Sequence, residues 1–152
     1  MILLAYRHGF RASELVELRV SDVDLTAGTI HCRPATQGLE VERPSDEAKQ
    51  DEIRAIERVL RDREVDARDY LFASERGAKL TRNGFWRIVS EAGKRAGLPM
   101  NVYSHQLRHA CGYYLANKGC DLRLIQEYLG HVQIQNTVRY TALNATRFEG
   151  LW

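Results

Sequence analysis

Histidine, arginine and tyrosine side chains recur at short intervals in the second half of this 152-residue chain. His105 and Arg108 are three residues apart, so they would share one face of a helix. His131 directly follows Gly130, a residue type common at helix ends, and Tyr140 comes soon afterwards. Two basic groups, a second imidazole and a phenol in this order could surround a phosphate and place a hydroxyl against it.

These residue types suit attack on a phosphodiester. Its non-bridging oxygens carry negative charge that grows in the transition state, and a guanidinium can fork onto two of them. Imidazoles donate to the same oxygens and also move protons near neutral pH. A tyrosine hydroxyl, with an ordinary pKa of about 10, becomes a usable nucleophile beside those cations and a base. Each residue alone would more often be a cap, a surface group or packing, so the prediction depends on their joint order and spacing.

The elements that must position these residues are mostly helical. A short apolar helix ends at Gly9, and Arg11 falls in the turn before a second helix, for which Ser13 is the expected N-cap. Residues 29–33 and 39–42 read as the two strands of a hairpin. A helix is then expected from Ser45 to Arg61, with its apolar residues on one face.

Three further helices and a final turn complete the prediction. Thr81, Ser104 and Asp121 are the expected N-caps, and Gly130 closes the last of the three. A short helical turn that begins at residue 136 or 137 would carry Tyr140. We therefore predict a mainly α-helical fold with a small antiparallel β-sheet (α+β), as one domain over residues 1–152.

The bulk composition is that of an ordinary soluble protein, with 44% hydrophobic and 28% charged residues. No apolar run approaches the roughly 20 residues that span a bilayer, and the opening residues lack a cleavage site, so we expect a cytoplasmic protein without membrane contact. Cys32, Cys111 and Cys120 match neither a zinc site nor a disulfide framework, and Cys111 is expected as a buried thiol. The net charge of +2 neither demands nor excludes a nucleic-acid partner.

The most basic region precedes and contains the predicted helix at Thr81. Its basic side chains could contact a phosphate backbone or could simply be solvated, and both interpretations stay open. The candidates for DNA contact are Arg76, Lys79, Arg82 and Arg87.

Several motifs together resemble the signature of the tyrosine site-specific recombinases, the phage integrase family. They are the segments 11–15, 105–109 and 129–131, followed by Tyr140, and the resemblance covers essentially the whole chain. Within the family, the segments 8–14, 123–131 and 137–142 are most similar to the small bacterial recombinases that invert a promoter segment to switch fimbrial expression.

The resemblance implies a role for each candidate residue. Arg11 and Arg108 would clamp the scissile phosphate, and His131 would donate to a non-bridging oxygen. His105 would assist proton transfer at the nucleophile. Tyr140 would attack and hold the DNA 3′-phosphate while a 5′-hydroxyl leaves, with neither metal nor ATP nor another cofactor. His109 is turned away from Arg108 on the helix, and we expect a structural role for it.

The resemblance also implies partners. The substrate would be double-stranded DNA, on which four protomers at two sites exchange strands through a Holliday junction. The chain alone would be a monomer, and accessory DNA-bending proteins could assist it in the bacterial nucleoid. Relatives in the family carry an additional N-terminal DNA-binding segment, which we expect this chain to lack.

One position departs from the family pattern. A lysine in the hairpin turn is expected as the acid that protonates the leaving 5′-oxygen, but Thr36 stands there. Arg33, Lys49 or Lys79 could substitute for it. Three alternatives therefore stay open: a catalytically impaired DNA-binding homologue, a nicking-closing enzyme similar to type IB topoisomerases, or a purely structural cluster.

Overall fold

The computed structural model describes residues 1–32, 41–43, 50–61, 63–74 and 76–142. Across these ranges the chain is mainly helical and carries one small sheet, as predicted. The predicted residues Thr36, Ser45, Arg33 and Lys49 lie outside the described residues. The helices are α1 (Ile2–Arg7), α2 (Ala12–Glu17), α3 (Gln50–Arg61), α4 (Arg82–Arg95), α5 (Ser104–Asn117), α6 (Leu122–Leu129) and α7 (Gln135–Ala142).

The sheet is antiparallel with the strand order β1 (Val23–Asp24), β2 (Thr29–Cys32) and β3 (Val41–Arg43). The predicted hairpin is confirmed as the β2–β3 pair. The sequence interpretation missed β1, which it took for part of a turn. Asp24 explains the short strand, because its carboxylate accepts the backbone N–H groups of Thr26 and Ala27 at 2.8 Å and so reverses the chain immediately.

Two helices begin earlier than predicted, α2 by two residues and α5 by one. Helix α2 begins at Ala12, not after Ser13, because the carboxylate of Glu14 accepts the backbone N–H of Arg11 at 2.8 Å. Helix α5 begins at Ser104 for the same reason, because the side-chain oxygen of Gln106 accepts the backbone N–H of Tyr103. In both helices the side chain three residues after the N-cap therefore decides where the helix begins, and the serine predicted as the N-cap lies inside the helix.

The other two predicted caps are confirmed. Thr81 accepts the N–H of Gly84 at 3.0 Å, and Asp121 accepts those of Arg123 and Leu124 at 2.8 and 2.9 Å. The last helix is longer than the single turn that was predicted, because it begins at Gln135 and runs for two turns.

Two apolar clusters form the core, and α5 contributes to both. The larger cluster packs α1, α2 and α4 together with the sheet, around fully buried residues such as Leu15 and Phe85. The smaller cluster lies between α5, α6 and α7 and includes Cys111, Leu129 and Tyr140. The confirmed burial of Cys111 places the middle of α5 between the two clusters, beside the candidate site.

Gly9 is where α1 turns toward α2, with a φ of +59° that favours glycine. A Cβ at Gly9 would overlap the buried side chain of Leu129. We predict that Gly9→Ala lowers the free energy of unfolding by about 2–4 kcal/mol, because the left-handed backbone and overpacking both cost energy. Urea unfolding measures this change.

Gly119 is the matched control. It also has a positive φ, of +80°, but no described atom lies within 4 Å of a Cβ added there. Gly119→Ala should therefore lose only about 1–2 kcal/mol, the backbone part of the cost. Equal losses at the two positions would contradict the packing explanation.

Candidate active site

Arg108 is the central residue of the site. Its side chain is 1% exposed, and its guanidinium donates to the backbone carbonyls of Gly9 and Leu129. A buried charge of this kind needs acceptors, and the carbonyl oxygens at the ends of helices are available because they have no partner within the helix. Arg108 therefore fastens the turn after α1 and the end of α6 to the same point on α5.

Arg11 reaches the same place from the start of α2. Its guanidinium donates to Glu14 at 2.6 Å and to the carbonyl of Gly130 at 3.3 Å. The two arginines, 97 residues apart in the chain, thus contact consecutive carbonyls at the end of α6. The side chain of Arg11 is one-third exposed, so this guanidinium remains accessible to a ligand.

His131 is positioned by the end of α6. Gly130 adopts a left-handed conformation with a φ of +64°, and the N–H of His131 then donates to the carbonyl of Gln126 at 2.9 Å. The ring Nδ1 lies 2.9 Å from the hydroxyl oxygen of Thr137, which is fully buried on α7. Both the backbone and the ring of this histidine are therefore fixed.

Tyr140 is docked in its own chain. It is 1% exposed and lies between the ring of His131, 6.2 Å away and nearly parallel, and the edge of Tyr113, 5.1 Å away. The backbone of Gly112 forms the floor of this site. A Cβ at Gly112 would lie only 2.6–2.8 Å from atoms of the Tyr140 ring, so a side chain there would displace the tyrosine.

The Tyr140 hydroxyl contacts a histidine other than the one that the sequence interpretation favoured. Nδ1 of His109 lies 2.9 Å from the hydroxyl oxygen. The exposed ring of His105 lies one turn earlier on α5 and meets the ring of His109 edge-on, with 4.5 Å between the centroids. The sequence interpretation missed the His109 contact, although the spacing of four residues from His105 already placed both rings on one helix face.

Burial and positive charge keep the three imidazoles neutral. Burial, with smaller contributions from Arg108 and other nearby cations, lowers the pKa of His131 from 6.5 to about 4. The pKa values of His105 and His109 are also lowered, again first by burial. Burial raises the pKa of Tyr140 above its ordinary value of 10, although Arg108 and Arg139 oppose that shift. At neutral pH the site therefore holds neutral imidazoles and a protonated phenol.

Arg139 is a third cation of the site that the sequence interpretation did not single out. It is exposed on α7 directly before Tyr140, and its positive charge helps to lower the pKa of all three histidines. No ion pair joins it to another residue in the described ranges. The sequence feature that could have identified Arg139 is its position directly before the predicted nucleophile.

The four basic residues predicted to contact DNA do not share one face. Arg76 is exposed in a turn, and Lys79 is ion-paired with Glu17 on α2. Arg82 is exposed at the first position of α4, whereas Arg87 is turned about 140° away around that helix. Arg87 instead lines an open groove with Ile2, Glu91 and Arg95.

Two other classes of site were sought among the described residues. No group of three or more His, Cys, Asp or Glu side chains there could hold a metal ion. None of the described helices is both long and apolar enough to cross a membrane.

The geometry as a whole suits one kind of chemistry. Guanidiniums from α2 and α5, with a third at α7, surround neutral imidazoles and a phenol whose oxygen is hydrogen-bonded to one of them. A phosphodiester placed there would meet cations at its oxygens and a hydroxyl at its phosphorus.

Comparison with known proteins shows which family the chain resembles. A model of the phage integrase family matches residues 1–147. Over its full length the chain is 48% identical to the type 1 fimbriae regulatory protein FimE of Escherichia coli (strain K12), of which it covers 77%. It is 43% identical to FimB of the same strain, again over its full length, and covers 76% of that relative. These matches confirm the resemblance on which the sequence interpretation relied.

A solved structure supports the same conclusion. The XerH site-specific recombinase, in a post-cleavage complex with a palindromic difH substrate, matches with a TM-score of 0.81 at 27% identity. The match covers 97% of this chain but 42% of the XerH chain, so the chain spans less than half of that protein. The predicted α+β fold is confirmed by this match.

The low pKa of His131 has a consequence for stability. Because its pKa is about 4 in the folded chain and 6.5 ordinarily, the unfolded chain binds the proton more readily. The contribution of His131 to stability is therefore complete above pH 6.5 and is lost as the pH falls toward 4. We predict that His131→Gln, which cannot titrate, loses less stability than the native chain over this interval, as measured by urea unfolding.

An NMR titration of the histidine resonances provides the direct check. The His131 ring should remain neutral well below pH 6.5. A His131 resonance that titrates near 6.5 would contradict the burial argument.

Proposed function

This chain belongs to the phage integrase family, and on that premise we propose that it catalyses site-specific recombination of DNA through a covalent bond between Tyr140 and a 3′-phosphate. The observation that carries the proposal is the docking of Tyr140 within its own chain, beside Arg108, His109 and His131. Residues 1–152 act as the catalytic domain in this proposal.

The arginines bind the phosphate. The accessible guanidinium of Arg11 forks onto the non-bridging oxygens, and Arg108 contributes its charge from a position fixed by two carbonyls. His131 donates an N–H to one of the same oxygens. Its Nδ1 already faces Thr137, so the donor is Nε2, and a neutral imidazole keeps that proton at physiological pH.

The reaction conserves the phosphodiester bond. The oxygen of Tyr140 forms a bond to phosphorus as the bond from phosphorus to the 5′-oxygen breaks, which leaves a 3′-phosphotyrosine and a 5′-hydroxyl. The 5′-hydroxyl of another strand then attacks the phosphotyrosine and restores the DNA backbone. Each step exchanges one phosphoester for another, so neither ATP nor a metal ion is required.

The recombination proposed is inversion or integration of a DNA segment, with inversion favoured by the identity to FimE and FimB. Four protomers assemble on two double-stranded sites and exchange strands through a Holliday junction. Accessory DNA-bending proteins assist the pairing of the sites. The protein acts on nucleoid DNA in the bacterial cytoplasm.

A second candidate function is DNA binding with impaired cleavage. The observation that favours it is Thr36, because a threonine hydroxyl is a far weaker acid than the lysine ammonium expected at that position. The two functions differ in whether a covalent adduct forms.

Covalent trapping distinguishes them. Duplexes that bind the protein are selected from a random-sequence pool and nicked at successive positions, so that the cleaved strand loses its short end and cannot be rejoined. We predict a denaturant-resistant protein–DNA adduct at one nick position, absent in Tyr140→Phe. Arg11→Ala should form it about 10²–10³-fold more slowly, which is the usual loss for one preorganised donor.

A substrate with a different leaving group tests whether the acid that protonates the 5′-oxygen is missing. Sulfur in place of the bridging 5′-oxygen leaves as a thiolate, whose conjugate acid has a pKa of only about 8.5, so it needs no proton donor. DNA binding without an adduct on either substrate would favour the binding-only function. An adduct only on the sulfur substrate would mean that this chain has the nucleophile and lacks the acid.

Arg76 and Arg82 are the basic residues that we propose to bind the DNA backbone, since both are exposed near the start of α4. The double variant Arg76→Ala/Arg82→Ala should weaken DNA binding and reduce the slope of log affinity against log salt by about 0.9 for each phosphate that the protein no longer neutralises. Fluorescence anisotropy at several salt concentrations measures both quantities.

The matched control removes the same charge elsewhere. Arg87→Ala/Arg95→Ala takes two positive charges from the groove on another face of α4. It should change the salt slope less than the first variant does. Equal effects would mean that net charge, and not this surface, determines affinity.

A further inference from the structure

We infer that His109 is the base that takes the proton from Tyr140 during attack, within the same protomer. The inference rests on the proposed function and goes beyond it, because the family resemblance gave proton transfer at the nucleophile to His105. It assigns a catalytic role to a residue for which the sequence suggested only a structural one.

The first support is contact. Nδ1 of His109 is 2.9 Å from the Tyr140 hydroxyl oxygen, within the range at which a general base takes a proton directly. The tyrosine is 1% exposed, so bulk water does not compete for its proton in this position. The ring geometry agrees, because the two centroids are 5.8 Å apart and the rings are tilted so that nitrogen meets oxygen.

The neighbouring groups are worse placed for this task. His105 contacts the ring of His109 edge-on and is exposed. His131 lies nearly parallel to the tyrosine ring, and its Nδ1 already meets Thr137. Cys111 donates its thiol to the carbonyl of Arg7. Of the described histidines, His109 is the one whose nitrogen faces the phenolic oxygen.

The charge state of the two partners is also suitable. Burial, His105, Arg139 and Arg108 all lower the pKa of His109, so the imidazole is neutral at physiological pH and can accept a proton. The raised pKa of Tyr140 keeps the phenol protonated, which makes an acceptor necessary. For Nδ1 to accept, the resting proton of His109 must be on Nε2.

The proton and electron balance is complete. The phenolic O–H bond breaks, its proton bonds to Nδ1 of His109, and the oxygen bonds to phosphorus. The bond from phosphorus to the 5′-oxygen breaks, and that oxygen takes a proton from water or from a side chain that replaces the missing hairpin lysine. In rejoining, a 5′-hydroxyl attacks phosphorus and returns its proton to the group that had protonated the leaving oxygen, while the departing phenolate recovers its proton from Nδ1.

The packing around Tyr140 holds its hydroxyl in a fixed position relative to His109. Gly112 and Tyr113 contact the ring, and α7 is held against α5 and α6 by the buried Tyr140 and Thr137. Because His109 and Gly112 both belong to α5, the base and the floor under the nucleophile are parts of one rigid element.

The test separates proton transfer from positioning. A glutamine can accept a hydrogen bond from the tyrosine through its amide oxygen but cannot take the proton at neutral pH. We expect His109→Ala and His109→Gln both to form the adduct on the nicked duplex about 10²–10⁴-fold more slowly while still binding DNA. Sulfur at the leaving position should not rescue these variants. It removes the need for an acid at the leaving group but does not help to deprotonate Tyr140.

His105→Gln is the comparison variant, one turn away on the same helix. It should lose less adduct formation than His109→Gln does. A His109→Gln protein that cleaves within about threefold of the native rate would overturn the inference, because positioning alone would then suffice. A larger loss in His105→Gln than in His109→Gln would overturn it as well.

A second measurement needs no DNA and no cleavage. Nitrogen-15 NMR of labelled histidine should show Nδ1 of His109 unprotonated and its resonance shifted by Tyr140→Phe but not by Tyr113→Phe. A proton on Nδ1 would overturn the inference even if the native protein cleaves DNA. If the native protein forms no adduct on any duplex, the proposed function fails, and this measurement still decides whether His109 accepts from Tyr140.

Discussion

A buried guanidinium is the constraint on which the rest of this structure depends. Arg108 is almost fully enclosed, yet its charge is not lost, because the backbone carbonyls of Gly9 and Leu129 accept its N–H groups. A lysine could not reproduce this arrangement, since an ammonium lacks the planar fork that reaches two carbonyls at once. The two carbonyls lie close in sequence to Arg11 and His131, so satisfying one buried charge also assembles the candidate active site.

The same helix positions Tyr140, the proposed nucleophile. Helix α5 presents Arg108 toward the ends of α1 and α6, His109 toward the Tyr140 hydroxyl and Gly112 toward its ring. Arg108 and His109 lie about 100° apart around α5, and Gly112 lies between these two directions. The rigid geometry of the helix therefore fixes the distance between the guanidinium that we propose to bind the phosphate and the phenolic oxygen that we propose to attack it. This is the condition under which electrostatic preorganisation is effective, because little reorganisation remains for the reaction itself.

Much of the fold could be predicted from local patterns, and the tertiary contacts could not. The caps at Thr81 and Asp121, the β2–β3 hairpin and the glycine at the end of α6 depend on neighbours in sequence, and these predictions were confirmed. Ser13 and Ser104 were wrongly assigned as N-caps because Glu14 and Gln106 accept the backbone N–H groups of Arg11 and Tyr103, which starts each helix earlier. The contact of His109 with Tyr140 depends on how α7 packs on α5, and no spacing within one helix determines that packing. The roles of the site residues stay predictions, and Thr36 lies outside the described residues.

The carbonyl groups at the end of α6 have a consequence for how the site responds to its surroundings. Leu129 and Gly130 orient the two arginines through peptide dipoles, which do not neutralise a guanidinium, and Glu14 also forms an ion pair with Arg11. Mobile ions screen exposed charges efficiently but compete poorly for a buried dipole contact. Salt should therefore weaken the attraction between these arginines and a phosphate while leaving the arginines in place. The proposed phosphate-binding site therefore stays assembled whether or not the ionic conditions allow a phosphate to bind.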